Sequence, residues 1–352
     1  MTEAPAPVPT LGTDFSGLET PSRALQSLGI PFRLLFCAEK EAWLRALIQA
    51  DTPPEECIYE DVDNRDVSSM PAVQLYVAGP SCQPFSPAGA RQGEADPRGQ
   101  HMQRCVDYVA MRRPVAFVIE NVPTLAKEFT SYFDSIAAQL RAADYVVKSR
   151  SLDTLKHGGL PQSRKRLYVV GIGKAHIDPR RKFHYPAALP HYIPLAKLLE
   201  HKNKRVVSGP CTTPSQRRLI QKAFDEATAA GIDPFHEPVI VDIDSSQTYA
   251  AANWSHGYSK TITRARGATG YYCTSLGRRL VVSEMLRLQG FRPDTVSWQQ
   301  ANVARTNMGK ACGNSMTKSI LERLLPRVLY SCGLIDDLPV DRWEDPGYNP
   351  FK

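Results

Sequence analysis

Short apolar runs and longer segments of helical spacing alternate along the first half of the chain. Apolar runs that suit buried strands cover residues 72–78, 115–119 and 166–172. Residues 124–142 carry apolar side chains at helical spacing, which predicts a helix whose aromatic residues belong to the core. Those positions are Phe129, Phe133, Ile136 and Leu140. The alternation predicts a Rossmann-like α/β domain, with a mixed, mostly parallel sheet and helices on both faces.

The chain begins with a strand, a turn and a helix. The stretch from Leu11 suits a short strand, followed by a tight turn at Ser16-Gly17 and a helix that starts with Pro21 and ends with Gly29. The second strand ends at Glu39. An acid at this place in an open α/β sheet commonly accepts hydrogen bonds from ribose hydroxyls. The alternative is an exposed acid that begins the next helix.

From residue 175 the alternation is lost and prolines recur, which predicts a second, smaller and less regular unit. Basic and aromatic residues are interleaved in it. This combination suits phosphate contact and base stacking, although any single basic residue could equally belong to an ordinary solvated surface. The residues are Lys197, Lys202, Lys204, Arg205, Arg217, Arg218, Lys222, Lys260, Arg264, Arg266, Arg278 and Arg279, with Trp254, Tyr258, Tyr271 and Tyr272.

The composition is that of an ordinary globular protein: 42% of the 352 residues are hydrophobic and 22% are charged. No apolar run approaches the roughly 20 residues that span a bilayer. Residues 1–10 lack the features of a signal peptide and predict a disordered tail. The net charge of +7 permits a polyanionic partner. The eight cysteines include no C-x-x-C pair, which disfavours zinc and disulfide frameworks and suits a reducing, intracellular compartment.

A cysteine follows the apolar run that ends at Ala78. Cys82 lies in a loop stiffened by Pro80 and Pro84, at the carboxyl end of a predicted parallel strand, where open α/β sheets place ligands. The alternative is a small buried hydrophobe, which is the usual environment of a free cysteine. On this stretch alone the two interpretations are equally supported.

Two later motifs bring further polar groups to the strand edges. The three motifs are Pro80-Ser81-Cys82-Gln83-Pro84-Phe85-Ser86, Glu120-Asn121-Val122 and Gln162-Ser163-Arg164-Lys165-Arg166. Together, in this order and at about this spacing, they resemble the motifs of the DNA cytosine-5 methyltransferases. The resemblance covers roughly residues 11–330, apart from the irregular unit. It implies a Rossmann-like, S-adenosylmethionine-dependent methyltransferase fold with a smaller, irregular target-recognition domain.

The resemblance implies covalent catalysis on a cytosine base. Cys82 would add as a thiolate to carbon 6, and Glu120 would supply a proton or hydrogen bond at N3. Arg166 would orient Glu120 and contact O2 of the base, while Arg164 would share this role or contact the backbone. S-adenosylmethionine would supply the methyl group, and no metal is needed. A base inside a duplex is out of reach, so the cytosine must be flipped out.

The resemblance also implies which residues bind the cofactor and the substrate. Cofactor contacts are expected from Phe15, Ser16, Gly17, Leu18, Glu39, Asp61, Val62, Pro80, Asn314 and Ser315. Substrate contacts are expected from Gln83, Ser86, Arg91, Asn121 and Arg98, within or next to a mobile loop at residues 88–100.

Three features of the cofactor motifs leave their details open. Asp66-Val67 is a second register for Asp61-Val62, and the distance to Cys82 favours Asp61. Glu19 and Thr20 replace glycines that the family usually has in the first loop. The last motif ends in Met316-Thr317-Lys318 where the family usually has proline or valine.

The expected domains follow the same resemblance. Residues 11–174 and 280–335 form the catalytic and cofactor-binding domain, residues 175–279 the target-recognition domain, and residues 336–352 a peripheral tail. Within the returning segment we expect a helix capped by Ser283 and stopped by Gly290, and a last helix from residue 318 to residue 329.

The expected partner is double-stranded DNA, bound by a monomer in the nucleus of a eukaryote or the cytoplasm of a prokaryote or virus host. One alternative is a tRNA cytosine-5 methyltransferase. That branch carries a Cys-Phe-Thr element, which Tyr272-Cys273-Thr274 matches poorly. The other alternative is a catalytically silent DNA-binding relative, which the altered cofactor motifs favour and the intact catalytic motifs oppose.

Overall fold

A computed structural model describes residues 8–85, 96–200, 213–245 and 253–352. The chain forms two compact units. The first contains the residues up to Leu152 with Lys165–Ala187 and Ile320–Arg342, and the second contains Asp153–Arg164, Ala188–Ser319 and Trp343–Lys352. This division differs from the expected domains, since residues 153–164 and 280–319 lie in the second unit. The expected domain boundaries therefore stay a prediction.

The first unit is built on a seven-stranded sheet of order β3-β2-β1-β4-β5-β8-β6. Its strands are β1 (Thr10–Asp14), β2 (Arg33–Ala38), β3 (Cys57–Tyr59), β4 (Leu75–Ala78), β5 (Ala116–Asn121), β6 (Tyr145–Asp153) and β8 (Lys165–Gly173). The pairs from β3 to β5 are parallel, and β8 runs antiparallel to β5. The mixed, mostly parallel sheet confirms the predicted fold class. The central strands are buried throughout, which explains their continuous apolar sequences.

The helices of this unit follow the predicted pattern with two differences. They are α1 (Thr20–Leu28), α2 (Ala42–Asp51), α3 (His101–Arg112), α4 (Thr124–Glu128) and α5 (Thr130–Ala142). Gly29 caps α1 in a left-handed conformation with φ 68°, as expected. The single helix expected over residues 124–142 is wrong, because the chain leaves helical geometry at Phe129. The sequence also predicts a helix that starts at Asp96-Pro97-Arg98-Gly99 and runs through Met111, but this segment begins as a 3₁₀ turn, Pro97–Gln100, before α3.

The core of the first unit confirms the predicted role of the aromatic residues in α4 and α5. Phe129 and Phe133 pack against a buried cluster that includes Ile136 and Leu140. The same cluster contains side chains of β4 and β5, such as Tyr76 and Phe117. The two strands that carry the candidate catalytic loops therefore share one hydrophobic core.

Within the described residues, the second unit contains helices of different lengths and two small sheets. Its helices are α6 (Thr154–His157), α7 (Pro214–Ala229), α8 (Arg264–Thr269), α9 (Val282–Leu288) and α10 (Arg305–Asn314). The strands β9 (Val239–Val241), β10 (Trp254–His256), β12 (Tyr272–Cys273) and β13 (Arg278–Arg279) form an antiparallel sheet, and β7 (Gln162–Ser163) pairs with β11 (Ser259–Lys260). Helix α7 packs on the antiparallel sheet of this unit through Ala223 and Ala227. The last helix, α11 (Lys318–Ser331), begins in this unit and continues in the first.

The expected cap of α9 is wrong. Val281, not Ser283, is the N-cap, and the Glu284 carboxylate accepts the Val281 N–H at 2.9 Å. The Ser283 hydroxyl instead donates to Glu200 at 2.6 Å. Gly290 follows the helix with φ 88°, in agreement with the expected stop.

The expected peripheral tail is anchored by one aromatic side chain. Trp343 is buried, and a Cβ built on Gly159 would lie 2.8 Å from its ring. The Trp343 carbonyl lies 3.2 Å from His191 Nε2. Burial of a large apolar ring fixes this part of the tail within the second unit.

Helices α8 and α10 approach each other so closely that only glycine fits at their contact. A Cβ on Gly309 would lie 2.0 Å from the Gly267 carbonyl oxygen, and one on Gly267 would lie 1.9 Å from the Gly309 oxygen. Because both obstacles are backbone atoms, they cannot move aside cheaply. This contact fixes α10, whose last residue is Asn314.

The substitution Gly309→Ala should therefore force α8 and α10 apart. We expect it to lower the free energy of unfolding by about 2–3 kcal/mol, as overpacking in a core does. The exposed Thr306 on the same helix provides the control, and Thr306→Ala should change stability by less than about 0.5 kcal/mol. Urea unfolding of both variants measures the difference. Equal stability of Gly309→Ala and the wild type would contradict the close approach.

Candidate active site

The loop that carries Cys82 is tied at one end to the last residue of β5 and at the other to the first residue of α4. Strands β4 and β5 pair in parallel, with Ala78 opposite Ile119. The buried Asn121 side chain donates to the Pro80 carbonyl at 3.2 Å, and the Thr124 hydroxyl donates to the Phe85 carbonyl at 2.5 Å. These two hydrogen bonds define the position of the loop relative to β5.

Inside the loop, Cys82 is partly buried and forms no disulfide. Its carbonyl accepts the Phe85 N–H at 3.1 Å, which closes a turn. Phe85 is buried, and its ring packs edge-on against Phe129 and stacks with Tyr132, at centroid distances of 5.2 and 5.6 Å. The aromatic anchor holds the turn while the thiol stays partly exposed, as a nucleophile requires.

Glu120 and Arg166 form an ion pair largely withdrawn from solvent. Glu120 lies in β5, where it faces Tyr168 of the antiparallel β8, and Arg166 lies near the start of β8. The Arg166 Nε atom is 3.3 Å from Glu120 Oε1, and the two side chains are 13% and 10% exposed. The predicted orientation of Glu120 by Arg166 is consistent with this geometry.

Arg98 bridges the two described ends of the predicted mobile loop. Its guanidinium donates to both carboxylate oxygens of Asp96, at 2.9 and 2.6 Å, and to the side-chain oxygen of Gln83. The hydrogen bonds from Arg98 lower the pKa of Asp96 to about 2. Two predicted substrate residues, Gln83 and Arg98, are thus in contact. Ser86 and Arg91 lie outside the described residues.

The predicted cofactor loop has an unusual backbone. Phe15, Gly17 and Glu19 all adopt left-handed conformations, with φ of 55°, 55° and 49°. The Gly17 N–H donates to Glu39 Oε2 at 2.9 Å, and the Ser16 N–H donates to the Ala38 carbonyl at 3.0 Å. The loop is therefore tied to the end of β2. Burial raises the pKa of Glu39. Leu18 and Pro80, also predicted cofactor contacts, are buried in the same unit.

The segment after β3 contains both registers for the predicted aspartate. Asp61 and Asp66 each cap a short 3₁₀ turn. Val62 is buried, and Asp61 lies 3.0 Å from the amino group of Lys40, the residue after Glu39. Asp66 is exposed and bonds Ser68. Burial of the Asp61 carboxyl opposes ionisation, but hydrogen bonds from the Asp63 N–H and Lys40 lower its pKa. The structure favours Asp61 as the residue next to Glu39.

Glu19 lies under the loop, not on its surface. Its carboxylate is fully buried and accepts hydrogen bonds from the hydroxyls of Thr13 and Ser22, at 2.7 and 2.9 Å. Burial raises its pKa to about 7, against the effect of these hydrogen bonds and of the Arg23 charge. The Glu19 side chain is therefore not exposed on the surface of the loop.

Two titratable residues around this loop, Asp14 and His101, were not predicted from the sequence as part of the site. Asp14 forms a buried ion pair with Arg65 and accepts the Tyr76 hydroxyl at 2.5 Å. The pair ties the segment between Asp61 and Asp66 to the end of β1. The His101 ring lies 5.0 Å from the Phe15 ring, and burial lowers its pKa.

The other predicted site residues belong to the second unit. The Arg164 guanidinium donates to the carbonyls of Ile262, Gly313 and Ser315, at 2.9, 3.2 and 2.8 Å. Ser315 is buried and Asn314, at the end of α10, is exposed. Arg164 thus fixes the turn that contains the predicted Asn-Ser pair.

Several basic residues of the second unit are engaged in ion pairs within it. Arg266 pairs with Asp242, Arg279 with Asp244 and Arg278 with Glu284, at 2.7, 2.7 and 2.8 Å. The pairs stabilise the small sheet and α9. Arg217 and Arg218 on α7 are exposed, whereas Lys202, Lys204 and Arg205 lie outside the described residues. Phosphate contacts are thus better placed on α7 than on β13.

The described residues include neither a metal-binding cluster nor a helix that could span a membrane. No group of three or more His, Cys, Asp or Glu side chains there has the geometry of a metal site. None of the helices there has the length and apolar character of a membrane span.

Comparison with known proteins gives consistent matches. The model of the family of C-5 cytosine-specific DNA methylases matches residues 14–329. The type II methyltransferase M.NgoBI of Neisseria gonorrhoeae is 30% identical over 294 residues, which are 82% of this chain and 83% of the relative. M.HaeII of Haemophilus aegyptius is 28% identical over 278 residues, 78% and 80% of the two chains.

Solved structures match the fold at low sequence identity. The methyltransferase EhMeth of Entamoeba histolytica superposes with a TM-score of 0.65 at 15% identity, over 92% of this chain and 98% of that one. The Dnmt2 methyltransferase of S. pombe gives 0.64 at 16% identity, over 91% and 98%. At this identity the likeness shows the fold alone.

The Thr124 hydroxyl should control the opening of the Cys82 loop. In Thr124→Val the Phe85 carbonyl loses its donor at a cost of about 1–3 kcal/mol, so we expect exchange of the Phe85 amide to accelerate at least about fivefold. Thr124→Ser keeps the hydroxyl and should exchange like the wild type. Hydrogen exchange followed by mass spectrometry measures both. If the valine variant kept full protection, Thr124 would not hold the loop.

Proposed function

Since the chain belongs to the family of C-5 cytosine-specific DNA methylases, we propose that Cys82, Glu120 and Arg166 are the groups with which it methylates carbon 5 of cytosine in DNA. The chain is a DNA cytosine-5 methyltransferase by this membership. The observation that carries the proposal is the pair of hydrogen bonds that join the Cys82 loop to the segment after Glu120.

Carbon 5 of cytosine is a poor nucleophile, and a thiolate added to carbon 6 makes it enamine-like. Cys82 supplies this thiolate, and the covalent bond divides one difficult reaction into easier steps. The base must leave the duplex to reach the thiol. After carbon 5 is methylated, loss of its proton and elimination of the Cys82 sulfur restore the enzyme.

Glu120 and Arg166 act on the negative charge that develops on the ring. Glu120 donates a proton or hydrogen bond at N3, for which its carboxyl must be protonated or share a proton. Arg166, 3.3 Å from Glu120, holds the carboxyl and directs fixed positive charge toward O2. Arg164 is proposed as a supporting residue, through the carbonyls that its guanidinium binds.

The family implies S-adenosylmethionine as methyl donor, and the residues of the first unit fit it. When bound, it supplies the electrophilic methyl group. Glu39 presents a carboxylate to ribose hydroxyls, and Asp61-Val62 contacts the adenine. The loop Phe15–Leu18 and Pro80 hold the methionine part. The part-buried hydrogen bond from the Gly17 N–H to Glu39 supports a site in which the loop and the acid are held together.

The proposed substrate is double-stranded DNA, contacted by a monomer within the cell. Gln83 and Arg98, which touch each other, are placed to contact the flipped base or its phosphates, and Asn121 orders the loop behind them. The exposed Arg217 and Arg218 suit phosphate contact. The rival substrate is tRNA, on which the same catalytic residues would act, and the rival of another class is a silent DNA-binding relative.

Transfer of labelled methyl from S-adenosylmethionine separates these functions. We expect 5-methylcytosine in a duplex DNA pool of random sequence and none in tRNA. Label in tRNA alone would move the chain to the RNA branch. S-adenosylmethionine binding without label in either polymer would support the silent relative.

The substitution Cys82→Ser should abolish methyl transfer, because an alcohol is far less nucleophilic than a thiolate at neutral pH. Folding and S-adenosylmethionine binding should persist, as shown by urea unfolding and calorimetric titration. Cys57→Ser, at another partly buried cysteine outside any disulfide, provides the control and should keep its activity. Near-normal activity of Cys82→Ser would end the covalent mechanism.

The substitution Glu120→Gln removes the proton but keeps the shape of the side chain. We expect the single-turnover rate to fall about 10²–10⁴-fold, the usual contribution of a general acid or base. Asp134→Asn, an exposed acid on α5, is the matched control and should react at the wild-type rate. A full rate in Glu120→Gln would remove Glu120 from the scheme.

A further inference from the structure

A fully buried carboxylate occupies the position at which the family's first loop usually has a glycine. Glu19 is 0% exposed and adopts φ 49°, a left-handed conformation that a glycine reaches without strain and a glutamate does not. Substitution of a glycine by a glutamate here costs backbone strain and desolvation. The side chain must therefore contribute contacts that a glycine cannot make.

Those contacts join three elements around the loop. The Thr13 hydroxyl, at the end of β1, donates to Glu19 Oε2 at 2.7 Å, and the Ser22 hydroxyl, in α1, donates to Oε1 at 2.9 Å. Thr13 Oγ1 also lies 2.8 Å from Ser16 Oγ, inside the loop. One carboxylate thus links β1, the loop and α1.

The same hydroxyl network reaches the second strand. Ser16 Oγ donates to the Ala38 carbonyl and accepts the Ala38 N–H, both at 3.1 Å. Ala38 precedes Glu39, whose carboxylate holds the Gly17 N–H. On the other side, Arg23 Nε donates to the Leu18 carbonyl at 2.7 Å. The polar groups beneath the loop therefore fix both Ser16 and Leu18.

We propose that Glu19 is a positioning residue for the methyl donor, whose buried carboxyl group holds residues 15–18 in the conformation that receives S-adenosylmethionine. This inference rests on the proposed cofactor site. The Glu19 carboxylate accepts hydrogen bonds from two hydroxyls and thereby fixes the loop conformation. In a glycine-rich loop, the conformational freedom of glycine allows that conformation instead. Glu19 itself does not touch the cofactor, since its carboxylate is enclosed by Thr13 and Ser22.

Calorimetric titration with S-adenosylmethionine, in the absence of DNA, tests the proposal on three substitutions. Glu19→Gln can still accept one hydroxyl and donate to the other, so its Kd should stay within about threefold of the wild type. Glu19→Ala and Glu19→Gly lose both hydrogen bonds, and we expect Kd to rise at least about tenfold, because each bond contributes about 1 kcal/mol. Loss in alanine and glycine with rescue by glutamine supports a positioning role.

The glycine variant is the decisive one, because it restores the family's residue and relieves the backbone strain. Wild-type affinity in Glu19→Gly would overturn the proposal and assign the loop conformation to the backbone alone. Wild-type titration keeps the two hypotheses apart: if the unaltered protein does not bind S-adenosylmethionine, the proposed cofactor site fails, whereas binding by the wild type and Glu19→Gly alike refutes only the role of Glu19.

A milder pair of substitutions serves if the Glu19 variants do not fold. Ser22→Ala removes one donor and leaves the backbone at Glu19 unchanged, so Kd should rise about three- to fivefold. Ser27→Ala makes the same change five residues later in α1, where the hydroxyl bonds Ala24 and Glu322, and should leave Kd unchanged. Equal affinities of the two serine variants would contradict the network.

Discussion

The hydrogen bond from the Asn121 side chain to the Pro80 carbonyl joins the two halves of the proposed catalytic group. Strand β4 delivers the cysteine loop and β5 delivers Glu120, and their parallel register brings the strand ends side by side. Asn121 is 1% exposed, so the bond forms away from competing water. Thr124 repeats the connection at the far end of the loop. Every chemical role that we assign to Cys82 depends on this fixed relation to β5.

Strand β8, which pairs antiparallel to β5, brings the third proposed catalytic residue, Arg166, to Glu120. Because β8 runs against β5, the start of β8 lies beside the end of β5, and Arg166 meets Glu120 there. A parallel strand at this place would have brought its other end to the site. The mixed character of the sheet thus places the Arg166 guanidinium next to the Glu120 carboxyl, which we propose as the proton donor.

Much of the fold was readable from sequence because buried parallel strands are continuously apolar and glycines mark helix ends such as Gly29. The three motifs identified the catalytic candidates. The ion pairs could not be predicted from the sequence, because their partners are far apart in it. Asp14 and Arg65 are separated by 51 residues, and Asp244 and Arg279 by 35. For the same reason, Arg279 was predicted as a possible phosphate contact although it pairs with Asp244. The N-cap of α9 was misassigned because Ser283 and Glu284 both carry side chains that can accept a hydrogen bond from a backbone N–H at the start of a helix. The sequence alone does not show that Glu284 accepts the Val281 N–H. Ser86 and Arg91 stay predictions.

Covalent trapping tests the central claim most directly. Duplex DNA in which every cytosine is 5-fluorocytosine contains all possible target sites, and fluorine at carbon 5 prevents the elimination that would release the enzyme. Incubation with S-adenosylmethionine, followed by proteolysis and mass spectrometry, identifies the attached residue. The account predicts a stable adduct on the peptide that contains Cys82. An adduct on another cysteine, or none from a preparation that methylates ordinary DNA, would contradict it.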